Sequence, residues 1–356
     1  MNAWLRENLV CPHHHSELSW QDHVLVCPFQ CQYPVVEGVP VMLLDDVAQT
    51  MDLAQTSLRQ SRSPNADGGL YIDSLGLTDT EKQAILELAK ATTSRIDAVV
   101  SFLVGATNGN AYAHLIGRLT DYPIPELRMP QAQGQVFLDL GCNWGRWCFA
   151  ASRRGYRAVG IDPSLGAVMA ARRVAQQLGI EATFLVGDAR FLPFKPASLD
   201  HVFSYSVLQH FSREDVAQAL REVGRTLKTG GSSLVQMPTK FGVRCLQHQM
   251  RRGFREGANF EVRYWSIPAL RDLFSATIGA STFSVDCFFG IGLQFSDMHL
   301  MPPGQKIVIL MSELLRLSSQ LLRPLVWVAD SVYVRSVKTE SPLGGELTHG
   351  QEKISR

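Results

Sequence analysis

The middle of the chain alternates between short apolar runs and longer stretches with helical spacing. Val136 to Leu140, Val159 to Ile161, "ATFLVG" (182–187) and "LDHVFSYS" (199–206) are each short and mostly apolar, and the first three stop at Gly141, Asp162 and Gly187-Asp188. Runs of this length without polar alternation suit strands covered on both faces. The intervening "WGRWCFAASRRGY" reads as a crossover helix. Strand and helix in alternation predict a parallel, doubly wound sheet with its ligand at the carboxyl ends of the strands. "SVYVRSV" (331–337) is expected to return as the last strand.

The first of these strands breaks into a turn and opens directly into a helix. In "FLDLGCNWGRWC", Gly141 and Gly145 are spaced G-x-x-x-G with Asn143 between them. Glycine lets a ligand approach the backbone N–H groups at the positive end of the helix, and Asn is among the few side chains that tolerate positive φ. Asp162 ends the second strand, where a carboxylate can accept both hydroxyls of a ribose.

The series "FLDLGCNWG", "GIDPS", "GDARFLPF", "FSYSVLQHF" and "EVGRTLKTGGSSLVQMP" resembles the Rossmann-like (class I) S-adenosylmethionine-dependent methyltransferases over about residues 131–338. That resemblance implies an α/β fold with a doubly wound seven-stranded sheet and S-adenosylmethionine as cofactor. It implies that Gly141 and Gly145 admit the cofactor against the backbone, with Asn143 carrying the unusual backbone angle between them. Asp139 would lie near the methionine ammonium, Asp162 would hold the ribose, and Asp188 with the Ala189 backbone would face the adenine. Trp144 is expected to pack in the core rather than touch the ligand.

Near the start, Cys11 and His14 stand at C-x-x-H spacing, and Cys27 and Cys31 at C-x-x-x-C. Two such pairs on tight turns can surround one tetrahedral zinc, and a segment this short needs such a staple to fold. His13 and His15 compete with His14 for the histidine place. The flanks "LVCP" and "YPVVEGVPVMLL" resemble the zinc-ribbon activator subunit that partners tRNA, rRNA and protein methyltransferases, over about residues 5–45. The expected organisation is therefore a small N-terminal zinc-ribbon-like β domain (1–45), a helical connector or lid (46–130), the methyltransferase domain (131–338) and a disordered tail (339–356).

Within the connector, Met51 to Gly69 reads as loop or frayed helix, and Thr78 with Glu81 forms a capping-box start. Asn110, Tyr112 and His114 are lid candidates, with helix packing as the competing reading for each.

Composition narrows the class. The chain has 356 residues, 46% hydrophobic and 19% charged, with a net charge of +1, so no global charge draws it to nucleic acid or an anionic membrane. It has no signal pattern and no apolar run of transmembrane length, and its seven Cys then favour reduced thiols or a metal site in the cytoplasm.

Methyl transfer is an in-line displacement that needs alignment and, for a hydroxyl acceptor, removal of a proton. His210, just past the fourth strand, is the candidate base, and Gln209 and Tyr205 are candidates to orient the acceptor; a backbone-bonded helix-entry histidine is the alternative for His210. The cluster Arg244, Arg251, Arg252, Arg255 and Arg263 reads as a solvated helical face, with phosphate or RNA binding as its rival. Leu310, Leu314, Leu317, Leu321 and Leu325 form one stripe of an amphipathic helix, read first as core or dimer packing and second as a peripheral membrane contact. The expected function is methylation, at oxygen, of a small-molecule or saccharide acceptor. An rRNA or tRNA methyltransferase is the alternative and a non-catalytic scaffold the third reading.

Overall fold

The computed structural model describes residues 2–48, 52–63, 67–91 and 95–339, without the side chains of 107, 108 and 110. The expected tail and Asn110's side chain lie outside the described residues.

Four short strands come first: β1 (Ser19–Gln21), β2 (Val24–Val26), β3 (Gln32–Val36) and β4 (Val39–Met42). Seven follow: β5 (Val136–Leu140), β6 (Arg157–Asp162), β7 (Ala182–Gly187), β8 (Leu199–Ser204), β9 (Leu227–Pro238), β10 (Ser281–Cys287) and β11 (Ser331–Val337). These seven stand in the order β7-β6-β5-β8-β9-β11-β10, parallel except for β11, which runs antiparallel to both β9 and β10. This is the doubly wound Rossmann-like sheet expected of the central segment. Alternation along β5 feeds both sides of it: Phe137 joins the core under the helices Arg146–Arg153 and Leu165–Leu178, while Val136, Leu138 and Leu140 join the core under Arg213–Thr226 and Ile267–Thr277.

The N-terminal ribbon is continuous with that sheet. β4 pairs parallel with β7, Val41 opposite Val186 and Met42 opposite Gly187, so eleven strands share one sheet. A second seam runs through "LVCP": the Val10 N–H donates to the Pro193 carbonyl (2.9 Å) and the Lys195 N–H to the Asn8 carbonyl (2.9 Å). Val41 and Met42 are buried because they cover what would otherwise be an open sheet edge.

Met51 to Gly69, expected as loop or frayed helix, contains the helix Leu53–Ser61, and it is held by tertiary contacts rather than by periodicity. Ser57 Oγ donates to the Pro163 carbonyl (2.7 Å) and accepts from the Leu165 N–H (2.9 Å), and Ser74 Oγ accepts from the Gly166 N–H (2.8 Å). Connector hydroxyls thus satisfy amides at the start of Leu165–Leu178, which no sequence period announces. The Thr78–Glu81 capping box is present on Asp79–Lys90.

The leucine stripe departs from the core reading. Leu310, Leu314, Leu317 and Leu321 are exposed on and beyond the helix Pro303–Ser318, which buries Ile309, Ser312 and Glu313 instead; only Leu325 is partly packed. No helix among the described residues is long and apolar enough to cross a membrane.

Because the ribbon is bonded into the sheet edge, Val41→Asp should cost about 3 kcal/mol or more, since an unpaired carboxylate would be buried at the seam. Urea unfolding should show a single transition for the wild type and a lower midpoint for the variant.

Candidate functional site

The carboxyl ends of β7, β6 and β5 lie side by side, and the turn after β5 curls over them. Its three special residues are left-handed as expected: Gly141 (φ 79°), Asn143 (φ 48°) and Gly145 (φ 85°). The Gly141 and Cys142 N–H groups both donate to the Ile161 carbonyl, at 2.8 and 3.0 Å. A Cβ at Gly141 would collide with the Val207 side chain, so the loop after β8 closes on this turn only because position 141 is glycine. The Asn143 N–H donates to Asp162 Oδ2 (2.9 Å), and the Asn143 side chain accepts from the Trp144 N–H (2.8 Å). Trp144 is fully buried against Tyr122 and Phe149, a packing anchor at the helix start.

Two carboxylates sit in this corner. Asp162 also accepts from the Ser164 N–H (3.0 Å); burial raises its pKa to about 6, opposed by its two backbone amide donors. Asp139 lies beneath the turn with Cys148 Sγ at 3.5 Å, and burial raises its pKa to about 7. Asp188 follows β7, as expected, but its carboxylate is clasped by Arg190, whose Nη2 lies at 2.7 Å and which also reaches Asp215. Ala189 beside it is buried. Asp139, Gly141, Asn143, Gly145 and Asp162 are therefore one cluster, while Asp188 is engaged by an arginine that sequence reasoning passed over.

Beyond β8 the structure assembles polar groups that carry no motif. Tyr205 Oη lies 3.2 Å from Asp286 Oδ2, and Asp286 faces Arg128, which also holds Glu313 at 2.6 Å. Trp147, Phe203 and Tyr333 pack around Tyr205. Burial drives the Tyr205 hydroxyl well above its usual pKa, so it is a neutral donor. Tyr112, one of the lid candidates, is buried and donates to Asp297 Oδ1 (2.6 Å), beneath the Arg146 guanidinium. His114 Nε2 stands 3.1 Å from the Leu300 carbonyl at the surface.

His210 is locked. Nδ1 lies 2.7 Å from the Phe260 carbonyl and so carries the proton, the ring stacks on Phe260 at 3.8 Å, and Nε2 faces the Gln209 amide at 3.1 Å. Burial lowers its pKa, with Arg263 adding to the effect, so it is neutral near pH 7. Of the arginine cluster, Arg263 is buried and donates to the His210 carbonyl (2.7 Å), and Arg255 pairs with Glu261.

At the ribbon tip, Cys11, His14, Cys27 and Cys31 converge with all ligand atoms within 4.8 Å of one another. His14 Nδ1 is 3.6, 3.8 and 3.5 Å from the sulfurs of Cys11, Cys27 and Cys31. Zn–S bonds of about 2.3 Å and Zn–N bonds of about 2.0–2.1 Å at tetrahedral angles put sulfur and nitrogen ligands roughly 3.6 Å apart. The donor set fits one tetrahedral metal, and the fourth place falls to His14. The His13 ring lies tilted beside that of His14, centroids 4.4 Å apart, and His15 turns toward Glu222.

Residues 137–231 match the family model described as a methyltransferase domain. Over 99 residues the chain is 36% identical to an uncharacterized methyltransferase of Bacillus subtilis, YcgJ, covering 28% of this chain and 38% of that protein. Over 137 residues it is 28% identical to the tRNA (carboxymethyluridine(34)-5-O)-methyltransferase of Saccharomyces cerevisiae, covering 38% of this chain and 45% of that protein. The matched stretches span less than half the length of these two relatives. Among solved structures, the complex between the Haloferax volcanii Trm112 methyltransferase activator and the putative methyltransferase aligns at 21% identity, covering 60% of this chain and 86% of that chain, with a TM-score of 0.42.

Two outcomes are expected. Elemental analysis should find roughly one zinc per chain, and Cys31→Ser should lose most of it. The Asp139 carboxyl is held near pH 7 in the folded protein against about 3.9 unfolded, so its neutral form favours folding at low pH and that contribution is lost as pH rises from about 4 to about 7. Urea titrations of ligand-free protein should show this decline, on the order of a few kcal/mol, and Asp139→Asn should reduce it, leaving the share that Asp162 contributes up to about pH 6.

Proposed function

We propose that this chain, whose residues 137–231 form a methyltransferase-family domain, transfers the methyl group of S-adenosylmethionine to an oxygen of a small-molecule or saccharide acceptor. The observation that carries this reading is the left-handed turn of Gly141, Asn143 and Gly145 bonded to the Asp162 carboxylate. A sulfonium cofactor supplies an electrophilic methyl group that needs no metal or acid to activate it.

The chain's own residues bind, orient and exclude water. The two backbone amides hold Asp162 so that its remaining lone pairs can receive a ribose diol. Asp139, buried and raised in pKa, gives a cationic amine a partner beneath the turn. With Asp188 clasped by Arg190, the adenine contact shifts toward the neighbouring Ala189 backbone. On the acceptor side, Tyr205 is a positioning donor tied to Asp286 and Arg128. His210 can take a proton only at Nε2, where the Gln209 amide already points. The Cys11, His14, Cys27 and Cys31 set would hold zinc structurally, since four protein ligands leave no open coordination position.

The similarity to a tRNA methyltransferase supports a second reading, RNA as acceptor, with Arg251 and Arg252 on the phosphates. Steep salt dependence of binding would favour it, because phosphate contacts release counterions.

Calorimetric titration with S-adenosylmethionine tests the first reading. Binding in the micromolar range by the wild type and a loss of tenfold or more in Asp162→Ala are expected, one charged hydrogen-bonding partner being worth about 1.5–3 kcal/mol. Absence of binding by well-folded wild-type protein would overturn it.

A further inference from the structure

The helix Pro303–Ser318 is packed inside out. Its inner side is held by polar bonds: Ser312 Oγ accepts from the Phe288 N–H (3.0 Å), and Glu313 pairs with Arg128 (2.6 Å) and Arg316 (2.7 Å). Its outer side is the leucine stripe, with Ile307 at 64% exposure, and beyond the helix Leu321 stands at 89% and Trp327 at 46%. A second helix, Val243–Arg251, exposes Val243 (58%) and Met250 (61%), and Phe254 follows at 62%.

The two apolar segments are tied together at Asp330. The Arg244 and Cys245 N–H groups donate to Asp330 Oδ1 (2.7 and 2.9 Å), and Gly242 lies against Asp330 with no room for a Cβ. Asp330 comes three residues after Trp327, so the start of one helix is bolted to the end of the other apolar segment. Exposed apolar side chains thus concentrate on these two segments, and clusters of this kind mark interaction sites.

The charge around this patch is one-sided. Residues 240–252 carry Lys240, Arg244, Arg251 and Arg252 with no Asp or Glu, and Arg255 beyond them is paired with Glu261. Residues 303–328 carry Lys306, Arg316 and Arg323, and their one acid, Glu313, is buried and paired. This segregation occurs in a chain whose basic and acidic residues nearly balance, 34 against 33.

We propose that this face docks on the surface of an anionic phospholipid bilayer. The leucines and Trp327 would enter the acyl boundary while the arginines and Lys306 meet the headgroups, as peripheral amphipathic helices do. A second copy of the chain is a poor occupant, because a two-fold interface would set the same cations against each other. A nucleic acid would leave the aliphatic leucines without a partner, since bases stack on aromatic rings. The patch borders the ends of β9 and β10, close to the Tyr205–Asp286 pair. Resting on the methyltransferase reading, the consequence is an acceptor that is lipid-linked or lipophilic and is taken at the membrane surface.

Flotation of the full chain with vesicles reads docking without any methyl transfer, so its failure is separate from failure of the enzymatic reading. Phosphatidylcholine vesicles containing about one third phosphatidylglycerol should carry the protein up the gradient, and vesicles of phosphatidylcholine alone should bind it roughly tenfold more weakly. Leu314→Glu with Leu321→Glu should lose most of the binding. Arg251→Ser with Arg323→Ser, which leaves the apolar face intact, should weaken it roughly tenfold or more and reduce its salt dependence. Circular dichroism should be unchanged in both variants, since the residues replaced are at the surface. The proposal is overturned if the wild type stays at the bottom with anionic vesicles, or if both variants float as well as it does. Binding to single-stranded RNA but not to vesicles would also overturn it, as would a dimer dissolved by the leucine variant in a protein that ignores vesicles.

Discussion

The Asp162 carboxylate accepts one hydrogen bond from the Asn143 backbone and one from Ser164, and so ties the turn after β5 to the end of β6 and the start of the following helix. Everything around the candidate cofactor site leans on this tie. It stabilises a left-handed residue that is not glycine, it fixes where Trp144 enters the core, and it holds a carboxylate in place at the cost of burying it. Serines of the connector, Ser57 and Ser74, then close the same corner from outside by satisfying the next amides of the helix. Asp162, expected to be a ribose partner, is a structural keystone of the turn.

The ribbon depends on the sheet as much as on its own Cys and His cluster. Its four donors gather at the tip through two tight turns, but the strand that leaves it, β4, has its partner on β7. A forty-residue segment with a small core gains most of its apolar cover from that seam, where Val41 and Met42 are buried. The N-terminal ribbon therefore shields the sheet edge beside the strand that leads into Asp188.

Past the end of β8, buried charge fixes how the last elements of the chain dock. Arg128 bridges Asp286 and Glu313, and through them joins β10, the helix Pro303–Ser318 and Tyr205. Ion pairs of this kind are weak sources of stability but strong sources of geometry, because each charge must find its partner or the segment does not dock. The same pairing turns the helix so that its apolar stripe faces outward. The polar interior and the apolar exterior of that helix are one arrangement seen from two sides.

What the sequence by itself determined is local: the apolar runs that become β5 to β8, the left-handed turn at Asn143, the capping box at Thr78, and the spacing of Cys11, Cys27 and Cys31 with a histidine beside the first, all legible because period, glycine placement and short spacing act over a few residues. Only the tertiary structure decided the rest. Arg128 and the backbone of Asp286 are 158 residues apart in the chain, Ser57 and Leu165 are 108 apart, and no pattern within either segment announces the other. The reach of Arg190 to Asp215, the convergence of His14 rather than His13 or His15 on the three cysteines, the outward leucine stripe and the parallel β4–β7 seam likewise depended on groups that meet only after the chain has folded. A buried polar atom must be satisfied by whatever the fold brings to it, and that partner is set by topology rather than by spacing.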